Sequence, residues 1–82
     1  MPLSPDNKAI FTDVRDGKSV SRDAFEKACA AANVKHGGRN GSRVFRFNSL
    51  HAKISAHSDT VTIDGNENLK NLVSAVLECD QQ

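Results

Sequence analysis

The chain has 82 residues, is 38% hydrophobic and 26% charged, and carries a formal net charge of +1. A chain this short makes one domain over residues 1–82, with a small core and a stability on the order of 5 kcal/mol. No apolar run reaches the roughly 18 residues of a membrane span, and the opening Met-Pro-Leu-Ser-Pro-Asp lacks the basic-then-apolar profile of a secretory signal, so no membrane association and a cytoplasmic location are expected.

In chain order, Ser4-Pro5 reads as a helix start, with an N-cap ahead of the one helical position that tolerates proline. A short helix is expected over about 5–14, with Ala9, Ile10, Phe11 and Val14 as its apolar face and Asp16-Gly17-Lys18-Ser19 as the turn after it. The remaining core is expected over about 20–79. Ser21 is an N-cap for a second helix over about 22–34, in which Ala24, Phe25, Ala28, Cys29 and Ala32 recur at helical spacing. His36 to Gly41 reads as a glycine-bearing loop.

Two alternating segments follow. Phe45 and Phe47 share one face of Arg43–Phe47, while Val44 and Arg46 share the other. In Leu50–Ser55, Leu50, Ala52 and Ile54 alternate with His51, Lys53 and Ser55. Folding about Asn48-Ser49 opposes Phe47 to Leu50, Phe45 to Ala52, Arg46 to His51 and Val44 to Lys53, which puts both apolar sets on one face. Thr60–Ile63 is expected as the third strand, with Val61 and Ile63 inward. Asp64 or Asn66 caps a last helix over about 66–79, in which Leu69, Leu72, Val73, Val76 and Leu77 keep the helical repeat. The expected class is α+β, ordered α-α-β-β-β-α, with a three-stranded antiparallel sheet carrying its helices on one face. The helix, three-strand meander and final helix match the architecture of the double-stranded-RNA-binding domain. Cys29 and Cys79 fall on two helices and are expected as two buried free thiols.

Charge is segregated along the chain. From Ala28 to Ser58 there is no acidic residue, yet the stretch holds Lys35, Arg39, Arg43, Arg46, Lys53 and all three histidines, His36, His51 and His57. Gathered cations attract polyanions, of which phosphate backbones are the commonest in a cell; the plainer alternative is an ordinary solvated face. The four phenylalanines are the only aromatic residues. Stacking of bases on exposed rings is therefore disfavoured, whereas contact with phosphates and duplex shape is not.

Within this element order, the unit Gly41-Ser42-Arg43, followed by Val44-Phe45-Arg46-Phe47, resembles the Gly-Ser-His unit that opens the first strand of HicA-type toxins. These are small RNA-cleaving proteins of toxin–antitoxin pairs. The Gly-Ser-Arg-Val form is similar to a divergent branch of that family, as are Ala9-Ile10-Phe11 near the start and His57 close to the second strand. The resemblance covers about residues 9–79. It implies an RNA-binding protein, an RNA target, an antitoxin protein as partner and a metal-independent endoribonuclease activity. The histidine to which the family's catalysis is ascribed is arginine here, and an arginine that stays protonated is a poor general base.

Metal-free RNA cleavage needs a base at the 2′-OH, an acid at the leaving oxygen and a cation for the phosphorane. Histidine serves the first two roles and arginine the third. His57 is the first candidate catalytic residue and His51 the second. Arg39, Ser42, Arg43, Arg46 and Lys53 are the nucleic-acid-binding candidates. Arg43 is the ambiguous one, since its alternation points it to the buried side, where it snorkels or pairs with an acid. Walker-type, Gly-x-Gly-x-x-Gly, His-x-x-x-His and Cys-x-x-Cys patterns are all missing, so no metal and no small-molecule cofactor is expected. The competing reading is a non-catalytic module that uses the same basic face to bind protein or nucleic acid.

Overall fold

The computed structural model describes residues 3–38, 42–55 and 58–80. In chain order the elements are α1 (Pro5–Arg15), β1 (Val20–Ser21), α2 (Arg22–Ala31), β2 (Lys35–Gly37), β3 (Arg43–Phe47), β4 (Leu50–Ile54), β5 (Thr60–Val61) and α3 (Glu67–Asp80). The class is α+β, with three helices and a three-stranded antiparallel sheet packed against them, as the sequence pattern implies.

The helix ends are set by local chemistry. The Ser4 and Ser21 hydroxyls accept from the backbone N–H groups of Asn7 and Ala24, which caps α1 and α2. Gly17, at φ 90°, closes α1 while the Lys18 and Gly17 amides donate to the Asp13 and Val14 carbonyls. The same device ends α2 earlier than the expected residue 34. Asn33 takes φ 61°, its amide donates to Ala30, and the Val34 amide donates to Cys29. An asparagine tolerates that left-handed conformation, so the chain turns out of the helix before the glycines arrive. At α3, where two caps were open, the Asn66 Oδ1 accepts from the Leu69 amide at 3.1 Å, making Asn66 the cap.

The hairpin register matches the expected one at every pair, from Phe47 opposite Leu50 to Val44 opposite Lys53. Asn48 carries the turn at φ 55°. The third strand of the sheet, however, is β2 rather than Thr60–Ile63. The order is β2-β3-β4, and Lys35, His36 and Gly37 lie opposite Arg46, Phe45 and Val44. Thr60–Val61 instead forms a separate two-residue ladder with Val20–Ser21. Its inward Val61 is 1% exposed and Ile63 packs partly buried on the core, so the apolar pattern was satisfied with a different partner. Beside β4, the Asn66 side-chain amide donates to the Lys53 carbonyl at 3.0 Å, so the cap of α3 meets the strand where a further strand was expected.

The core lies between the inner sheet face and the helices. α1 packs on α2 and α3, and α3 lies across β4 and β3. Phe25 is its centre. The ring meets Phe11 of α1 edge-on, with centroids 5.7 Å apart, and stacks on Phe45 of β3 at 5.2 Å. Leu69, Leu72, Val73, Val76 and Leu77 of α3 close the other side.

Both cysteines are free, but only Cys29 is buried; Cys79 is exposed near the end of α3, contrary to the expectation that both are buried. It lies seven residues after Leu72, at the rim of the apolar stripe in the last turn of α3, where it lines an open depression with Leu3, Asn33 and Phe47. Burial, reinforced by the neighbouring Glu26 charge, pushes the Cys29 thiol up to about 12 from 9.0. The unfolded chain releases this proton first, so this thiol's contribution erodes stability as pH rises from 9.0 towards about 12.

Two outcomes are expected. Phe25→Ala removes both ring contacts and costs about 3–5 kcal/mol, comparable to the whole stability of a domain this size, so urea unfolding should show little cooperative transition. Alkylation at pH 8 should add one label to the native protein, at Cys79, and two in denaturant, as read by mass spectrometry. Two rapid labels on the native protein would contradict the burial of Cys29.

Candidate nucleic-acid interface

The strand registers arrange the basic side chains in rows. Lys35, Arg46 and His51 stand opposite one another across β2, β3 and β4. Gly37, Val44 and Lys53 form the next row. Because side chains alternate along a strand, both rows share the face opposite to Phe45 and Ala52, which are buried. Lys35, Arg46, His51 and Lys53 are exposed and Val44 is half-buried. With neighbouring strands about 4.8 Å apart, each row spans roughly 10 Å.

No acidic residue stands on β2, β3 or β4. The ion pairs elsewhere engage Lys8, Arg15, Lys18, Arg22, Lys27 and Arg43. Among the described residues, Lys35, Arg46 and Lys53 form no ion pair. Their charge is therefore directed at solvent rather than neutralised within the fold. Lys35, His36, Gly37, Gly38, Val44 and Arg46 line a shallow depression at the β2 side of this face.

Arg43 takes the other side. It pairs with Ile54 across the ladder, its side chain is about one-third exposed, and its guanidinium lies 4.0 Å from Glu26. Its Nη1 donates to the Ser42 carbonyl at 3.0 Å. Of the two roles open to it from the sequence, pairing with an acid is the one adopted. Glu26 also meets Arg22 at 3.4 Å. Arg22 in turn donates from its side chain to the Ser55 and Ser58 carbonyls at 3.1 and 3.4 Å, and from its amide to the Asp59 carbonyl. The Arg22–Glu26–Arg43 chain of contacts thus ties the start of α2 to the start of β3 and to both sides of residues 56–57.

The structure therefore brings together Arg46, His51 and Lys53 from the sequence candidates. It sets Arg43 apart from them, with Ser42 half-buried beside it. Arg39, Gly41 and His57 lie outside the described residues. Sequence reading missed Lys35 as a member of the face, and Glu26 and Arg22 as a pairing network. The sequence carried almost no strand signal for Lys35, because the adjacent Gly37 and Gly38 read as a loop. Among the described residues, no three of His, Cys, Asp or Glu cluster closely enough to hold a metal ion.

Gly38 closes the β2 end of the face. A Cβ there would fall 1.8 Å from the Ser42 carbonyl oxygen, so only glycine allows this approach between the two chain segments. In comparisons with known proteins, no family model, no curated protein and no solved structure matches this chain.

Gly38→Ala should force Ser42 and β2 apart. The Lys35 and Gly37 amides, which face β3, should then exchange with solvent at least about tenfold faster, while those of α3 keep their protection. Unchanged β2 protection would show that the close approach does not hold the strand.

Proposed function

We propose that this protein binds RNA through the outer face of β2, β3 and β4, in keeping with its resemblance to HicA-type toxins. One observation carries the reading: Lys35, Arg46, His51 and Lys53 stand together on an exposed face whose strands hold no acid. Such a face attracts phosphates by counterion release. With no phenylalanine on it, the bases find only the His51 imidazole and the Arg46 guanidinium to stack on, so recognition rests mainly on the backbone.

Cleavage is the narrower form of the proposal: a metal-independent endoribonuclease of a toxin–antitoxin pair, with the antitoxin protein as partner. What supports it is the placement of His51 directly opposite Arg46, an imidazole beside a guanidinium on the RNA-facing side. In that chemistry a histidine takes the 2′-OH proton and the arginine balances the charge that develops on the phosphorane. His57 remains the other histidine proposed for the reaction. Arg43 is proposed to act on RNA only after leaving Glu26.

A fluorescent RNA oligonucleotide titrated over a salt series tests binding. With three lysine or arginine contacts the log–log slope should be about −2, and Arg46→Ala or Lys53→Ala should each flatten it by about 0.7 and weaken affinity several-fold. A slope near zero would instead favour the protein-binding module. Incubation of RNA with His51→Ala and His57→Ala tests cleavage: loss of product in either variant, with binding retained, supports a catalytic histidine. Undiminished cleavage in both removes the assignment.

A further inference from the structure

We infer that the outer edge of β2 is a docking site for an extended acidic segment of another protein, taken up as a fourth strand of the sheet. The inference goes beyond the RNA reading and does not depend on it. β2 ends the order β2-β3-β4 and is paired on one side only. Lys35, His36 and Gly37 are all exposed, so neither a helix nor a loop among the described residues covers this edge. An uncovered edge strand presents outward N–H and C=O groups that a second extended chain satisfies. The opposite edge is less available, because the Asn66 amide already occupies the Lys53 carbonyl of β4.

The side chains define the occupant. The depression beside the edge has a volume of about 420 Å³, with Val44 and Gly37 as its apolar part and Lys35 and Arg46 as its cations. A Cβ on Gly37 would meet nothing within 4 Å, so the space over that position is open. A strand added here therefore sets an acidic side chain beside Lys35 and, two residues along on the same face, an apolar one over Gly37, towards Val44. Gly38, pressed against the Ser42 carbonyl, marks the end of the pairing. A second copy of this chain is a poor occupant, since its β2 brings another lysine to the same edge, and lysine on an edge works against like-with-like pairing. Charge complementarity favours an acidic partner.

The test uses the full ¹⁵N-labelled chain and a capped peptide of repeating Glu-Ser-Val-Ser, which sets glutamate and valine two residues apart on one face. Two control peptides accompany it: one with lysine replacing glutamate, and one with alternate backbone nitrogens methylated, which keeps the charge and blocks strand pairing. The Lys35, His36 and Gly37 amides should shift, and the outward His36 amide should gain exchange protection, with the glutamate–valine peptide alone. Lys35→Glu should weaken binding by about tenfold, whereas Lys53→Gln, two strands away, should change it less than about twofold. Equal binding of the methylated peptide would overturn the proposal, as would shifts on β3 and β4 that leave the β2 amides unmoved, or no binding at millimolar peptide. An RNA oligonucleotide titrated into the same sample separates the two readings. Peptide binding without RNA binding removes the proposed function alone, and RNA binding without peptide binding removes the edge site alone.

Discussion

The stack of Phe25 between Phe11 and Phe45 is the contact on which the rest depends. One ring on α2 touches α1 edge-on and lies nearly parallel to a ring of β3, at an interplanar angle of 8°. In a domain of 82 residues with four phenylalanines, three of them meet at this point. Burying a phenylalanine side chain contributes about 1.5–3 kcal/mol, and each aromatic pair about 0.5–1.5 kcal/mol more. Against a total on the order of 5 kcal/mol these are large shares. The stack also fixes which sheet face turns inward, because Phe45 cannot reach Phe25 from the other side. That choice sends Val44 and Arg46 outward and, through the ladder, Lys35, His51 and Lys53 with them.

The basic face is thus a by-product of core packing. A strand that buries Phe45 must expose its neighbours, and the neighbours here are cationic. The acids sit on the helices, on the turn after α1 and on the turns around β5, where they pair with Lys8, Arg15, Lys18, Arg22 and Lys27 or meet solvent. Glu26 has a separate part. It draws Arg43 to the helix side and, with Arg22, holds the segments on either side of residues 56–57. The two arginines of β3 are three residues apart in sequence but stand on opposite faces, one engaged with a carboxylate and one directed at solvent.

Legibility in the sequence followed the range of the interaction. The β3–β4 hairpin was readable in full because its turn and both alternating patterns lie within about a dozen residues and constrain one another. The helix starts were readable from Ser4 and Ser21, each of which satisfies an amide three residues on. The end of α2 was not, because the left-handed conformation of Asn33 competes with the high helix propensity of the alanines before it, and the glycines further on looked like the stronger stop. The third strand was misplaced for a different reason. Thr60–Val61 carries a strand pattern that fits any ladder, whereas Lys35–Gly37 carries almost none.

Local sequence therefore determined the class of fold, the hairpin with its register, the amphipathic helices and the gathering of positive charge between Ala28 and Ser58. Each of these rests on spacing within a single element or between adjacent ones. Tertiary structure alone decided that β2 completes the sheet, that Thr60–Val61 pairs with Val20–Ser21, that Lys35 joins Arg46 and His51, and that Arg43 turns to Glu26. Those outcomes depend on which distant segment reaches a given edge or charge first. A period of two or of 3.6 says which face a side chain takes, not which partner waits there.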